Sequence, residues 1–435
     1  MTSLALALLL SAAPVDPVFR DGDRVVFLGD SITVLHTWTR LVEVAVRLRH
    51  PEWTLTFINA GIGGNTAEDG LARLDVDVLS HEPTVVFLNF GMNDASFPEG
   101  SSGAAFEKNM TALLQALASA QVRRVVWLDT TPYDTSVGPG SQLNRRRVAR
   151  IAELLEFTKK TAAERNLPLV LANDAVTRAI TSWRAAKRAE NLIPDRIHPG
   201  PILHAVMAAE ALAATGFDVT PARVKVTVKD GAARVEGRDA GVAWDSEAPL
   251  RLDLSGVKAP LPFVLPLADA KVLDSKSLVS LASLNVSVVG LAPKRRYLVR
   301  AGTLEVGRFT GAQLSAGVDV MQTAPPRIAP GPERADLAIC DATTGNPWAN
   351  DVSCLFNLLF GKDQLRITMR HEKTRGLPDA VPGYLERLSS LQREWLEAVE
   401  GDVHARVRAL LARPHELVLE PEAAPEAGAM KGTAR

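Results

Sequence analysis

The chain has 435 residues, 46% of them hydrophobic, and a mean hydropathy of +0.04. That length exceeds what one hydrophobic core can serve, so two or three domains are expected. A net charge of −1 and a pI near 6.7, with no basic stripe, leave no electrostatic footprint for nucleic acid, and no stretch beyond the N-terminus is long and apolar enough to span a bilayer.

Residues 1–16 resemble a secretory signal: an apolar run over 4–10, then the small residues Ser11-Ala12-Ala13. This implies export, to the periplasm or outside the cell. No Lys or Arg precedes the run, and Pro14 follows the expected cut; the alternative is a cytoplasmic protein with an apolar N-terminus. From residue 23 to 216, apolar strands alternate with amphipathic helices. Strands are predicted at 24–28, 54–58, 84–88, 124–128 and 169–171. Helices are predicted at 38–49, 66–79, 104–120, 142–165, 174–190 and 201–214. In the first helix Leu41, Val44, Ala45 and Leu48 share one face. Arg145-Arg146-Arg147 reads as a solvated helix face. Such alternation implies an α/β fold with a parallel sheet covered on both faces. Ligands in such folds bind beyond the carboxyl ends of the strands.

The pattern changes near Phe217. Val224, Val226 and Val228 alternate with polar residues, and Asp230-Gly231 signals a hairpin. Further strands are predicted at 250–254, 284–289, 296–300 and 303–309. Residues 217–322 thus read as a small β-rich, sandwich-like domain after a 17–216 catalytic domain. A helical C-terminal region is expected over 323–419, opening on a Pro-rich stretch at 324–332. There Leu385, Leu388, Leu391, Trp395 and Val399 form a helical stripe that packs on another domain. Residues 420–435, rich in Ala, Pro, Glu and Gly, read as a disordered tail. The two cysteines, Cys340 and Cys354, form one local disulfide in an oxidising compartment or remain two buried thiols. No Cys/His cluster has zinc-ligand spacing.

Four short segments carry chemistry, three of them directly after predicted strands. Gly29-Asp30-Ser31-Ile32-Thr33 follows strand one; a serine on a tight strand-to-helix turn presents its hydroxyl at the sheet edge and its backbone N–H to a carbonyl oxygen. Asn59-Ala60-Gly61-Ile62-Gly63-Gly64-Asn65-Thr66 follows strand two and offers bare N–H donors. Gly91-Met92-Asn93-Asp94 follows strand three, and its Asn93 amide can donate to an oxyanion. Asp195-Arg196-Ile197-His198-Pro199 precedes the last helix; a carboxylate three residues before a histidine can accept the ring Nδ1–H and leave the other nitrogen as a base. Each segment alone fits a turn, a cap or a surface pair. Together, in this order, they supply a nucleophile, a base, a base-orienting group and oxyanion donors.

The set resembles the SGNH, or GDSL, hydrolase family over roughly residues 23–216. Gly29-Asp30-Ser31-Ile32-Thr33 is similar to the first family block, Gly64 and Asn93 to the key residues of the second and third, and Asp195 with His198 to the Asp-x-x-His block. The resemblance implies a flavodoxin-like three-layer α/β/α sandwich, Ser31, His198 and Asp195 as catalytic residues, and an oxyanion hole of Ser31 N–H, Gly64 N–H and the Asn93 amide. It implies no metal and no organic cofactor. The expected substrate is a small-molecule or polysaccharide ester, a short-chain acetyl ester of a carbohydrate foremost. The alternatives are a lysophospholipase or thioesterase for longer acyl chains, or a non-catalytic carbohydrate-binding protein on a hydrolase scaffold. A metal-dependent phosphoesterase is disfavoured because no Asp-x-His precedes Gly29. Thr37 and Trp38 follow the nucleophile closely and Tyr133 lies in the loop after strand four; the two aromatics are read first as packing residues and second as crevice lining. The other seven histidines are read as structural or surface.

Overall fold

The computed structural model describes residues 17–321 except 36, 97–102, 137–141, 237–240, 256–257, 259 and 262–266. It also describes residues 348, 351–352, 354–356, 358–359 and 362, and then 384–422 except 414. The expected signal segment 1–16 and Cys340 lie outside the described residues; Cys354 is buried and disulfide-bonded.

Five parallel strands form the first sheet: β1 (Arg24–Gly29), β2 (Thr56–Gly61), β3 (Val85–Asn89), β4 (Arg124–Leu128) and β5 (Leu169–Val170). Their order is β2-β1-β3-β4-β5. The helices between them are α1 (Ser31–Val34), α2 (Thr37–Arg49), α3 (Ala67–Ala72), α4 (Leu74–Asp77), α5 (Gly103–Ser119), α6 (Gln142–Glu164), α7 (Ala172–Ala185) and α8 (Pro201–Ala214). α8 packs with α2 and α7, and α5 with α3 and α6, giving the two outer layers. This is the expected flavodoxin-like sandwich. Strand interiors are apolar without alternation because both faces are covered, so Val25, Val26, Phe27, Leu28 and Val85 to Leu88 are all buried. Phe27 is the centre of an aromatic cluster, edge-on to Trp38 at 5.1 Å and tilted against Phe87 at 4.9 Å. Trp38 is therefore core, not crevice lining. β1 has β2 on one side and β3 on the other, so chain direction across the sheet reverses there. The loops after β1 and β3 part at this switch point and leave a crevice.

The helix predicted at 66–79 is two helices, α3 and α4, broken at Arg73, whose φ of −108° and ψ of 7° leave the helical region. Arg73 is drawn inward by three acceptors described below. The helix predicted at 174–190 stops at Ala185, where Lys187 turns to a φ of +52°.

Two further sheets enclose a second core. One has the order β13-β10-β6-β7-β8, built from β6 (Ala222–Lys229), β7 (Ala232–Val235), β8 (Gly241–Ala243), β10 (Leu284–Val289) and β13 (Val318–Asp319). The other, β12-β11-β14-β9, is built from β9 (Leu250–Asp253), β11 (Arg296–Ala301), β12 (Leu304–Thr310) and β14 (Glu416–Pro421). Val224, Val226, Leu252, Val299, Leu417 and Leu419 meet in one buried cluster. β14 corrects the C-terminal expectation: part of the helical region and the start of the supposed tail form an interior strand. β14 pairs antiparallel with β11 on one side and β9 on the other, which satisfies both of its backbone edges.

The long helix Tyr384–Leu411 buries Leu396, Val403, Val407 and Leu410 in the same cluster as the first sheet. Val399 packs partly buried against that cluster, whereas the side chains of Leu385, Leu388, Leu391 and Trp395 lie outside the described residues. This helix also covers the exposed edge of β2. Phe57 N–H donates to Glu400 Oε1 at 3.2 Å, and Leu55 N–H donates to His404 Nε2 at 3.1 Å. An edge strand is thus capped by side chains in place of another strand. No helix of the described residues is long and apolar enough to cross a membrane.

Candidate active site

Ser31 is the first residue of α1. Asp30 precedes it in extended conformation, and its carboxylate accepts the Ile32 N–H at 2.9 Å, which caps the helix. The turn is tight enough to demand glycine before it: a Cβ on Gly29 would lie 2.3 Å from Thr33 Oγ1 and 2.7 Å from the Asn89 carbonyl. Burial pushes the Asp30 carboxyl up to about 7, with the charge of Asp94 adding to the rise. Burial likewise pushes Asp94 up to about 6, against the hydrogen bonds from Ala67 and Gly91 N–H. The walls of the turn therefore carry less negative charge than their sequence suggests.

Ser31 Oγ lies 2.9 Å from His198 Nε2, and His198 Nδ1 lies 2.5 Å from Asp195 Oδ2. The other Asp195 oxygen accepts the N–H groups of Ile197 at 3.0 Å and His198 at 2.8 Å. One carboxylate therefore both shapes its own turn and grips the ring. This winding needs Arg196 at a φ of +74°, a left-handed conformation that a non-glycine residue adopts only when neighbours enforce it. They do: Arg196 N–H donates to the Ile193 carbonyl at 3.2 Å, and Asp134 N–H donates to the Arg196 carbonyl at 3.0 Å. Asp134 is in turn held by Ser136 N–H at 3.0 Å and Arg184 Nη2 at 2.5 Å. Burial raises the Asp195 pKa, but the bonds from the His198 ring and from the two amides outweigh it and leave the carboxyl below its ordinary range. Asp195 is accordingly an anion at neutral pH. The site is open: the side chains of His198 and Asp195 are 36% and 52% exposed.

The glycine loop and the third segment meet each other after β2 and β3. Gly64 adopts a φ of +78°, and a Cβ there would meet nothing within 4 Å, so conformation rather than crowding requires glycine. Asn93 Nδ2 donates to the Asn65 carbonyl at 2.9 Å. That bond uses one amide hydrogen and leaves the second to donate elsewhere.

Arg73, outside the sequence reading, and Asn59, at the start of the second segment, brace the loop. Arg73 Nε donates to Asn65 Oδ1 at 2.7 Å, Nη1 to the Ala60 carbonyl at 2.7 Å and Nη2 to the Gly29 carbonyl at 3.0 Å. It thereby ties the ends of β1 and β2 to the glycine loop. Asn59 Nδ2 donates to the Thr33 carbonyl at 2.7 Å while its Oδ1 accepts Gly61 N–H at 2.9 Å. A lone arginine in a helical pattern carries no signal of this kind, because two of its acceptors are backbone carbonyls at the ends of other strands. Tyr133 is half-buried, and its hydroxyl donates to Asn144 Oδ1 at 3.0 Å. Among the described residues no group of three or more His, Cys, Asp or Glu side chains is placed to hold a metal ion.

Residues 27–206 match the GDSL-like Lipase/Acylhydrolase family. The uncharacterized lipoprotein YqeF of Bacillus subtilis (strain 168) is 35% identical over 82 residues, 18% of this chain and 32% of that protein. The acetylxylan esterase of Geobacillus stearothermophilus is 25% identical over 219 residues, 45% of this chain and 95% of the esterase. The chain thus spans about a third of the first relative and nearly all of the second. Among solved structures, a gut microbial diltiazem-metabolizing enzyme superposes with a TM-score of 0.64 at 20% identity, covering 93% of this chain and 99% of that one. The shared fold therefore extends well beyond the first sheet, over 93% of this chain.

Proposed function

The segment 27–206 belongs to the GDSL-like Lipase/Acylhydrolase family of ester-bond hydrolases, and from that premise we propose that the protein is a serine esterase with Ser31 as nucleophile, His198 as base and Asp195 as its orienting carboxylate. The observation that carries this reading is the unbroken row from Ser31 Oγ through the His198 ring to Asp195, with spacings of 2.9 and 2.5 Å.

In this mechanism His198 Nε2 takes the Ser31 proton as Oγ attacks the ester carbonyl. Asp195, ionised, stabilises the imidazolium that forms. Ser31 N–H, Gly64 N–H and the free Asn93 amide hydrogen receive the negative oxygen of the tetrahedral intermediate. His198 then protonates the leaving alcohol, and water, deprotonated by the same ring, releases the acid from Ser31. The first test is labelling with a fluorophosphonate probe. One adduct on Ser31 is expected, abolished by Ser31→Ala; an unlabelled wild-type protein would instead favour the binding-protein alternative. For Asn93→Ala, loss of one oxyanion donor is expected to lower kcat by about 10²–10³ with KM little changed. Steady-state hydrolysis of p-nitrophenyl acetate reads both constants.

A short acyl group on a carbohydrate is the favoured substrate. The open crevice supports it, as does the relative described as an acetylxylan esterase, aligned over 95% of its length. A single observation favours the longer-chain alternative: Leu35, four residues from Ser31, is 49% exposed. A p-nitrophenyl ester series separates the two, with a maximum at acetate expected and a rising rate toward octanoate pointing to the lipid or thioester enzyme. Export is part of the same proposal and rests on residues 1–16 together with a relative described as a lipoprotein.

A further inference from the structure

His198 and Asp195 lie partly open to solvent, so their direction depends on what fixes the turn that carries them. Several of its bonds are local: Asp195 accepts from the Ile197 and His198 amides, and Arg196 N–H donates to the Ile193 carbonyl. One comes from elsewhere. Asp134 N–H donates to the Arg196 carbonyl at 3.0 Å, and among the described residues it is the one backbone–backbone bond that reaches residues 193–199 from another segment. It grips the residue at a φ of +74°, the strained point of the turn.

Asp134 is fixed in turn from α7. Its carboxylate is buried; Oδ2 pairs with Arg184 Nη2 at 2.5 Å, and Oδ1 accepts the Ser136 N–H at 3.0 Å and the Ser136 hydroxyl at 2.8 Å. Burial raises the Asp134 pKa, but the bonds from Arg184 and Ser136 outweigh it and leave the carboxyl below its ordinary range. The other end of α7 holds the same loop where it leaves β4. Asn173 N–H donates to Asp129 Oδ1 at 2.8 Å, and Asn173 Nδ2 donates to the Thr130 carbonyl at 2.9 Å. Asn173 stands in the first turn of α7 and Arg184 in the last, roughly 16 Å apart along the helix axis. α7 thus splints the loop after β4 at two points, and the loop passes its position to the base turn through one amide.

We propose that Arg184 is a positioning residue for the base: through the Asp134 carboxylate it fixes the Asp134 N–H, and so the angle at which the Asp195–His198 turn presents its ring to Ser31. The proposal rests on the esterase reading. Arg184 acts on the chemistry only through this geometry, and a displacement of about 1 Å at a reacting group costs up to about 10² in rate.

Arg184→Gln is expected to lower kcat for p-nitrophenyl acetate about tenfold with KM within about twofold, because the displaced group acts in the transition state. Labelling of Ser31 by a fluorophosphonate is expected to slow by a similar factor. Arg184→Lys should recover most of the loss, since the contact with Asp134 is made by one nitrogen and not by a two-pronged fork. The deciding readout is a cycle with Asp195→Ala. In that background no carboxylate orients the ring, and Arg184→Gln is expected to cost less than about twofold. General damage to the fold would lower activity by the same factor in both backgrounds, and that result would overturn the proposal. Asp134→Asn breaks the pair from the other side and leaves Arg184, 45% exposed, to solvent; it should reproduce the fall in kcat even if Arg184→Gln does not fold. Normal labelling of wild-type Ser31 with unchanged kcat in these variants would overturn this proposal alone. Absence of label on wild-type Ser31 would overturn the esterase reading and this proposal with it.

Discussion

Ser31→Ala is expected to lower kcat for p-nitrophenyl acetate by roughly five to six orders of magnitude, the scale seen when a triad nucleophile is removed. The physical reason is that the variant has no covalent route. His198 keeps its bond to Asp195 but has no hydroxyl to deprotonate, so only water activated by the ring and polarised by the oxyanion donors remains. Those donors alone still provide about 10³–10⁴ over the uncatalysed reaction. Two controls make the result diagnostic. The double variant Ser31→Ala/His198→Ala should be no slower than either single one, because residues acting as a unit are not additive. The thermal midpoint should be unchanged, since Ser31 contributes one exposed-side hydroxyl and no core contact. Activity within tenfold of wild type in purified Ser31→Ala protein would place the chemistry elsewhere.

The second large effect is one of stability. Glu400 of the long helix is 4% exposed and accepts from Lys362 Nζ at 3.1 Å and from the Phe57 amide at 3.2 Å, while its other oxygen pairs with Arg47 Nη2. Glu43 completes the set, with Arg47 Nε at 2.9 Å and Lys362 Nζ at 2.6 Å. Two cations and two anions are thus sealed together between α2, the β2 edge and the C-terminal region. Glu400→Gln leaves one positive charge buried without an opposing one, and a loss of about 3–5 kcal/mol is expected. Urea unfolding reads it, with exposed Glu397→Gln as a control that should shift stability by less than about 0.5 kcal/mol. The pH dependence follows from the same geometry. Burial raises the Glu400 pKa, but the charges of Arg47 and Lys362 outweigh it and set it below the ordinary range. A carboxyl whose folded pKa is depressed stabilises the fold above its unfolded pKa, and that contribution disappears as pH falls through the folded one. Wild type should therefore lose this increment in acid, and Glu400→Gln, having no carboxylate to protonate, should show a shallower acid limb. An unchanged limb would mean the cluster is not what couples the helix to the sheet.

This coupling gives the C-terminal region a part in the site. Glu400 and His404 fix the free edge of β2, and β2 leads directly into Asn59, Ala60 and the glycine loop. A segment distant in sequence thus braces the strand that supplies Gly64.

Much of this molecule is written locally. Apolar runs of four to six residues, punctuated by Gly and Asp, mark β1, β3 and β4 because a strand covered on both faces must be apolar throughout. The turn from Asp195 to His198 is equally local: three residues set the reach of a carboxylate to the ring, and the amides of Ile197 and His198 donate to that same carboxylate. Other features depend on partners that no local window contains. Ser31 and His198 are 167 residues apart, and their 2.9 Å contact exists because the β-strand order brings both loops to one end of the sheet. Glu43 and Arg47 lie outside the apolar face of Leu41, Val44, Ala45 and Leu48, yet both are buried, since their counter-charges arrive from positions 362 and 400. β14, at the edge of a stretch that reads as helix and tail, becomes an interior strand because β9 and β11 leave a gap whose backbone groups need it. Periodicity tells a chain which side of an element avoids water; which remote segment covers that side, and with what charge, is settled only when the whole chain closes on itself.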